Sequence, residues 1–215
     1  TTDGPIACAP LGKDAWFDYT ASETGTVTVS TCGTDFDTVL VVYDSFACPP
    51  GAVVGCNDDF CGTTPPRQSQ LSFPSTVGHH YKIRVAGYDY GSGDIRSGAG
   101  VINISSTPAN DSCANALPLS NGITPFGNLG ATTDGPAACA PLGRDVWYNY
   151  TASCTGSATI TLCGSGFDTV LSVYNGFGCP AGTVVACNDD FCGFAAPSQV
   201  TFNTVAGGQY KVRIS

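Results

Sequence analysis

The sequence predicts an all-β protein made of two tandem antiparallel β-sandwich domains that are stapled by disulfides. Three observations support this prediction. Short runs rich in Val, Ile, Thr, Tyr and Phe are separated by turns, and 27 Gly and 14 Pro interrupt the 215 residues every few positions. The second half of the chain repeats the first. Twelve Cys residues supply enough sulfur for several bridges in each half.

The repeat defines the domains. Residues 16–22 (WFDYTAS) return as residues 147–153 (WYNYTAS), and residues 56–62 (CNDDFCG) return unchanged as residues 187–193. Later in the unit the second copy is two residues shorter, which indicates a deletion in a loop. A polar, Pro-containing stretch at residues 105–110 separates the copies. We therefore expect one sandwich over residues 1–107 and another over residues 108–215.

Each copy contains about seven short segments with strand character. Residues 26–30 and 81–85 alternate apolar and polar side chains with period two, which is typical of a strand with one buried face. Residues 38–43 are apolar on both faces, which predicts a central strand. The remaining predicted strands lie near 14–20, 52–56, 69–73, 98–104, 145–151, 157–162, 168–174, 183–187, 198–202 and 209–214.

The phase of the repeat predicts missing strands. Residues 87–131 occur once: the part through Ser106 adds a last strand to copy one, and the part with Cys113 opens copy two. Copy one is then expected to lack its opening segment and copy two its closing strand. Unpaired sheet edges favour pairing with further chain. We expect either a longer array of repeats in the same chain or strands supplied by a neighbouring subunit.

Composition narrows the function classes. The formal net charge is −9 with eight Lys and Arg, and the sequence pI is near 4.2. Such a chain has no basic footprint for nucleic acid or an anionic membrane. No apolar run approaches the roughly 20 residues of a membrane span. Abundant Cys without Met points to an oxidising compartment, so the predicted location is extracellular or at the cell surface.

The cysteines leave several pairings open. A bridge between Cys113 and Cys139 is plausible, and the counterpart in copy one would join Cys8 to a Cys before Thr1. Cys154 would pair with a Cys in the absent closing strand, whereas the rival is a Cys8–Cys154 bridge. Three connectivities are open for the inner four cysteines of a copy, with a preference for Cys56–Cys61 and Cys32–Cys48. The predicted disulfide residues are Cys32, Cys48, Cys56, Cys61, Cys113, Cys139, Cys163, Cys179, Cys187 and Cys192.

Five acids persist in both copies while the other acids of copy one are replaced. The retained pairs are Asp3/Asp134, Asp14/Asp145, Asp37/Asp168, Asp58/Asp189 and Asp59/Asp190. Calcium binds six to eight hard oxygens from carboxylates, amides and backbone carbonyls. The predicted cofactor is therefore calcium, held by Asp37, Asn57, Asp58 and Asp59, and by Asp168, Asn188, Asp189 and Asp190. The alternative is that these are ordinary turn residues. Asp3 and Asp14 are expected to be turn or cap residues.

The sequence indicates no catalytic set. His79 and His80 form its only histidine cluster, and copy two has Gly208 and Gln209 instead. A general base would not be lost from one copy if each copy were an enzyme. Tyr88 and Tyr90 lie in the unrepeated stretch, where an exposed turn is expected rather than an aromatic ligand platform.

Three asparagines match the acceptor pattern for N-linked glycosylation. Asn103, Asn110 and Asn149 each precede a Ser or Thr by two residues. The pattern is short and common, and the first copy has Asp18 where the second has Asn149. These residues are candidates whose use depends on whether the source organism modifies asparagine.

The order of motifs resembles secreted bacterial pre-peptidase C-terminal (PPC)-like domains in their cysteine-rich tandem form. The resemblance rests on Phe-Asp-Thr-Val-Leu, then Cys-Asn-Asp-Asp, then Ser-Gln-x-x-Phe and a closing Gly-x-x-Tyr strand. It covers nearly all of both copies. It implies a jelly-roll-like sandwich without catalytic activity, appended to secreted hydrolases or repeated in surface proteins, and sometimes calcium-bearing. The cysteine density and the lack of an enzyme domain depart from the protease-linked form.

The repeat and the unpaired sheet edges that its phase predicts favour a structural role. The predicted function is a non-catalytic extracellular protein whose tandem sandwiches build a surface array or filament. The alternative is a carbohydrate- or protein-binding accessory module of a secreted hydrolase. The expected partners are copies of the chain or further repeats, with glycans as additional ligands.

Overall fold

The computed structural model describes residues 8–62, 67–141, 143–193 and 196–215. The chain forms two compact units, Thr1–Ser106 and Thr107–Ser215. Antiparallel sheets dominate both, which confirms the predicted all-β, disulfide-stapled fold. Among the described residues, no helix has the length and apolar character needed to span a bilayer.

The first unit is a sandwich of two sheets. One sheet has four strands in the order β1-β6-β3-β4, and the other has three in the order β5-β2-β7. The strands are β1 (Leu11–Thr20), β2 (Gly25–Ser30), β3 (Thr38–Asp44), β4 (Val53–Asn57), β5 (Gln70–Ser75), β6 (His80–Tyr88) and β7 (Asn103–Pro108).

Strand β3 is buried on both faces, as its sequence predicts. On its inner face, Leu40 and Val42 pack with Val27 and Phe73 of the opposing sheet to form the sandwich core. On its outer face, Val39, Val41 and Tyr43 belong to a second apolar cluster that includes Leu11. The outer face of the four-stranded sheet is therefore covered by its own chain rather than by solvent.

The second unit repeats this plan with different edges. Its larger sheet has the order β12-β11-β14-β9-β8, and its smaller sheet pairs β10 with β13. The elements are a short 3₁₀ helix (Cys113–Asn115), β8 (Leu117–Leu119), β9 (Val146–Thr151), β10 (Gly156–Thr161), β11 (Leu171–Asn175), β12 (Val184–Asn188), β13 (Gln199–Thr204) and β14 (Gln209–Ile214).

Most strand positions agree with the sequence, and three details differ. β7 begins at Asn103 rather than near residue 98, because Gly98 and Gly100 interrupt the strand character there. β11 begins at Leu171 rather than at residue 168. β8 was not predicted, since three residues with a central Pro give little periodic signal; it pairs in parallel with β9 at the sheet edge.

A buried ion pair lies on the outer face of each larger sheet. Arg84 of β6 contacts Asp14 of β1, and both side chains are excluded from solvent. Arg213 of β14 contacts Asp145 in the same way, with an Nε–Oδ2 distance of 2.7 Å. The expectation that Asp14 is a turn or cap residue is therefore wrong: Asp14 lies within β1, where its carboxylate neutralises a guanidinium that the sheet buries.

The disulfides form an inner frame that both units share. Cys8–Cys56 ties the segment before β1 to β4, and Cys139–Cys187 ties the segment before β9 to β12, each with 5.9 Å between Cα atoms. A second pair of bridges, Cys32–Cys61 and Cys163–Cys192, joins the end of β2 or β10 to the acidic loop. The Cys8–Cys154 bridge and the upstream partner for Cys8 are thereby overturned.

The preferred pairings are also corrected. Cys32 and Cys48 lie before and after β3, a seven-residue strand that keeps them roughly 20 Å apart. Cys56 lies within β4, whereas Cys61 lies beyond the loop beside Gln68, so the two are not bridged to each other. Cys113 bonds to Cys179 rather than to Cys139. Cys48, a predicted disulfide residue, is a free exposed thiol, as is Cys154.

Removing the buried carboxylate of Asp14 should lower the free energy of unfolding far more than removing the exposed carboxylate of Asp18. We expect Asp14→Asn to lower the free energy of unfolding of the first unit by about 3–5 kcal/mol, because Arg84 loses its counter-charge in a buried site. Asp18→Asn is the matched control: Asp18 pairs with Lys82 but is half exposed, and the second copy has Asn149 at this position.

The control should change stability by at most about 1 kcal/mol. Urea unfolding followed by tryptophan fluorescence measures both variants, since the first unit contains Trp16 and the second Trp147. Equal losses for the two variants would contradict the assignment of the Arg84–Asp14 pair as the dominant electrostatic contact.

Candidate metal centre

Three carboxylates converge at one end of the first unit. Asp37 lies immediately before β3, whereas Asp58 and Asp59 follow β4. Because β3 and β4 are antiparallel neighbours, with Leu40 opposite Asn57, the start of one strand meets the end of the other. Carboxylate oxygens of the three residues all lie within 4.8 Å of one another.

The second unit places the equivalent acids in the same arrangement. Asp168 precedes β11, and Asp189 and Asp190 follow β12. Their carboxylate oxygens also lie within 4.8 Å of one another. Antiparallel pairing of β11 with β12, with Leu171 opposite Asn188, produces this convergence just as it does in the first unit.

Two oxygens in the first cluster are buried without a hydrogen-bond partner. Asp37 is 5% exposed; its Oδ2 accepts a hydrogen bond of 2.5 Å from the Tyr90 hydroxyl. Oδ1 of Asp37 and Oδ1 of Asp58 have no partner among the described residues. An unsatisfied buried acceptor costs about 1–3 kcal/mol, and more when it is charged. A bound cation is the kind of group that would satisfy both oxygens at once.

The clustering changes the acidity of Asp58. Partial burial, together with the charges of Asp59 and Asp37, raises the pKa of the Asp58 carboxyl to about 6, while Arg67 opposes the shift. Arg67 contacts Asp59 at 3.1 Å, but both side chains are nearly half exposed, so its compensation is weak. In the second unit, burial and the neighbouring acids likewise raise the pKa of Asp189.

The two clusters differ in how they are covered. Tyr90 comes from the unrepeated segment after β6, and the two-residue deletion in the second copy removes the counterparts of Arg67 and Gln68. Asp168 is accordingly exposed where Asp37 is buried. A cleft of about 470 Å³ opens beside the second cluster, lined by Asn128, Arg144, Phe167, Asp168, Val170 and Asp189 among others.

The two predicted asparagine ligands, Asn57 and Asn188, attach the acidic loops to a neighbouring strand. Oδ1 of Asn57 accepts the backbone N–H of Gln70 at 3.1 Å, and Oδ1 of Asn188 accepts that of Gln199 at the same distance. These bonds fasten each acidic loop to β5 or β13. Each amide therefore positions its acidic loop, and its role as a metal ligand stays a prediction.

The remaining oxygen donors suit a hard cation. Three carboxylates supply oxygens of the type that calcium prefers, and backbone carbonyls or water complete its six to eight ligands. The neighbouring cysteines are bridged, which removes the thiolates that zinc would favour. The donor set therefore fits calcium better than a transition metal.

Other predicted positions have varied surroundings. Asn103 is exposed, whereas Asn110 is buried and donates to the Trp147 carbonyl at 2.9 Å. Asn149 is half buried and donates to the Ala116 carbonyl. Asn103 is thus the most accessible of the three glycosylation candidates. Asp3 lies outside the described residues; its counterpart Asp134 accepts the indole N–H of Trp147.

Sequence reasoning missed the role of Tyr90. Its ring contacts the tilted ring of Tyr88, the Arg96 guanidinium lies over it, and its hydroxyl donates a hydrogen bond to Asp37. It is 50% exposed, so it is neither a free turn residue nor a fully buried one. An unrepeated segment next to a retained acid was the available signal. His79, by contrast, contacts Asp44 at the surface.

Comparison with known proteins finds a family similarity in the second unit. Residues 109–215 match the galactose binding domain-like family GBD_T9SS_assoc. This T9SS-associated match and the five disulfides point to an extracellular or surface-exposed protein. The PPC-like resemblance is not confirmed by it.

Other comparisons add little. No curated protein matches the chain. The crystal structure of YhaK from Escherichia coli aligns over 94% of this chain and 80% of that one, at 12% identity. Its TM-score of 0.19 is too low to support an argument about fold or function.

Relief of carboxylate repulsion should be measurable without any metal. The folded-state pKa of Asp58 lies above its unfolded value, so its contribution to stability is present at low pH and is lost as pH rises through about 6. In EDTA at pH 7.5, we expect Asp58→Asn to stabilise the first unit by on the order of 1 kcal/mol after solvent screening. At pH 4 the gain should vanish.

The matched control is Asp44→Asn, which removes an exposed acid outside the cluster and reproduces Asn175 of the second copy. It should give no gain at pH 7.5 in the same urea titrations. Stabilisation by both variants alike would attribute the effect to net charge rather than to the cluster.

Proposed function

We propose that this chain is a non-catalytic extracellular module that binds glycans through loops held by calcium. One observation carries the proposal. In both units the repeated seven-residue segment (56–62 and 187–193) that supplies two of the clustered carboxylates also exposes a phenylalanine: Phe60 is 58% exposed and Phe191 is 62% exposed. The same exposed ring beside the same acids in both units is a candidate surface for contact with a ligand.

Calcium is supported by the electrostatics of the clusters. Asp37 and Asp58 bury oxygens that the described residues do not satisfy, and both burial and repulsion by the neighbouring acids raise the pKa of Asp58. A divalent cation would offset both costs. It would also fix the loop between β4 and β5, and with it the orientation of Phe60.

Glycan binding is supported by the chemistry of the loop surface. Sugars present apolar C–H faces that pack on aromatic rings. Their hydroxyl groups donate hydrogen bonds to carboxylate oxygens. The cleft beside Asp168 and Asp189 combines these features, since Phe167 is 40% exposed and Arg144 adds a donor. The galactose binding domain-like match of residues 109–215 agrees with this ligand class.

Calcium titration tests the metal half of the proposal. Isothermal titration calorimetry of the metal-free chain should show two sites, because each unit carries one cluster. Asp58→Asn should remove one site, and the double variant Asp58→Asn/Asp189→Asn should remove both. EDTA should lower the melting temperature of the unaltered chain, and calcium should restore it.

Asp44→Asn is again the control and should retain both sites. Absence of binding heat, with no change in melting temperature on adding calcium, would remove the metal from the proposal. The geometry of the loop and its exposed phenylalanines would then need another explanation.

Binding to galactose-containing glycans tests the other half. On a glycan array with calcium present, we expect Phe60→Ala and Phe191→Ala each to weaken retention, and the double variant to lose about tenfold or more in affinity. Val77→Ala is the control, since Val77 is 57% exposed but lies in the turn between β5 and β6. Equal weakening by the control, or no retention of the unaltered chain, would contradict glycan binding by these loops.

A second candidate function is assembly into a surface array. The observation in its favour is the free edge of β10, which has one strand neighbour in the described part of the chain, whereas β2 has two. A free edge is a template for pairing with another strand. Assembly into an array is tested by whether β10 binds an added strand along its free edge.

A further inference from the structure

The smaller sheets of the two units differ by one strand. In the first unit, β2 lies between β5 and β7. In the second, β10 pairs with β13 along one side, and its other side has no strand among the described residues. Since β2 and β10 occupy equivalent positions of the repeat, the first unit shows what a completed edge looks like.

Burial of the equivalent residues follows this difference. Val27 and Val29 of β2 are fully buried in the sandwich core. Their counterparts Ala158 and Ile160 of β10 are partly exposed, although they pack against the core of the second unit. The second unit therefore presents apolar surface at the position that β7 covers in the first.

A cleft of about 330 Å³ lies at this edge of the second unit. Its apolar lining includes Leu119, Phe126, Tyr148, Ile160 and Leu162. In the first unit, Ile102, the residue just before β7, packs against the sandwich core. A strand laid along β10 in the manner of β7 would carry the equivalent apolar side chain to this cleft.

Cys154 indicates the register that a strand of the β7 type would take along β10. The Glu23 carbonyl accepts the Ser75 hydroxyl at 3.2 Å, and the Cys154 carbonyl accepts the Thr204 hydroxyl at 3.1 Å, so the two backbones are placed alike. Glu23 is buried, and its side chain accepts a hydrogen bond from Ser106 of β7. Cys154 is an exposed free thiol.

We propose that β10 binds an extended strand of the β7 type that carries a cysteine at the position of Ser106, and that this cysteine forms a disulfide with Cys154. The backbone pairing supplies affinity, and the bridge fixes register. The inference rests on the repeated fold and not on glycan binding, so either can fail alone.

The chemistry of the bridge is thiol–disulfide exchange. Cys154 loses its proton to solvent, and its thiolate attacks the strand cysteine held in a mixed disulfide with a small thiol. One S–S bond forms as the other breaks, and the small thiol leaves as its thiolate. The oxidant is therefore a low-molecular-weight disulfide, of the kind an oxidising compartment maintains.

Cys48, the other free thiol, does not fit this role. It is followed by Pro49 and Pro50, which lack the backbone N–H groups that an added strand must donate. β7 itself is paired with β2 and has Ser106 in place of a cysteine. The fitting occupant is thus a further strand of the β7 type, not the Cys48 loop of a second copy.

A peptide of residues 100–108 carrying Ser106→Cys, activated as a mixed disulfide with thionitrobenzoate, tests the proposal on the full chain. Mass mapping should find the peptide on Cys154, at a rate about tenfold or more above that on Cys48, because docking raises the local concentration. Peptides with Ser106 kept and cysteine at Ser105 or Thr107 should react with Cys154 at the slow rate of Cys48, since neighbouring side chains on a strand face opposite sides.

Hydrogen exchange gives an independent measure of pairing. Amides of β10 should exchange more slowly in the coupled product than in the free chain, while those of β2 should not change. Equal rates at the two thiols, or equal rates for all three peptides, would overturn the proposal. So would a Cys154–Cys154 dimer that forms without peptide and blocks coupling, because it would assign the edge to a second copy.

Discussion

The buried Asp–Arg pair on the outer face of each larger sheet is the contact on which the rest of the structure depends. Arg84 lies opposite Trp16 on β1 and Val41 on β3, so its side chain spans the centre of the sheet. Burial raises the pKa of the Asp145 carboxyl to about 6 in the second unit, and the Arg213 guanidinium opposes this shift. Desolvation thus offsets much of the attraction, and the pair contributes less to net stability than to fixing one arrangement of strands.

That arrangement decides where the acidic loops lie. A shift by one residue between β3 and β6 would turn Arg84 toward the sandwich core and away from Asp14. With the register fixed, Asp37 at the start of β3 meets Asp58 at the end of β4. The disulfide between Cys32 and Cys61 then ties the acidic loop to the neighbouring sheet. The geometry of the acidic loop therefore depends on the strand register that the Arg84–Asp14 pair fixes on the outer face of the sheet.

Local pattern predicted much of this fold, and contacts between distant segments account for the failures. The period-two alternation of β2 and the doubly apolar β3 identify strands because they report burial directly. Retention of five acids selected the residues of both clusters, but it could not separate Asp14, which needs Arg84, from acids in turns. Disulfide pairing failed because it depends on which strand ends meet: the Cys113–Cys179 bridge joins segments whose proximity no spacing encodes.

Divergence between the units shows which parts of this frame can change. The ion pair, two of the bridges and the acid triad occur in both units, whereas the covers differ. Tyr90 and β7 close the first unit, and the second leaves Asp168 and Cys154 exposed and Ile160 partly exposed. Replacement of buried Glu23 by a thiol makes sense physically if the strand that meets it also changes, because a Glu–Ser hydrogen bond needs both partners. A covalent link there would resist an extracellular environment in which a hydrogen bond alone competes with water. The same sandwich can thus be closed internally in one unit and left open for capture in the next.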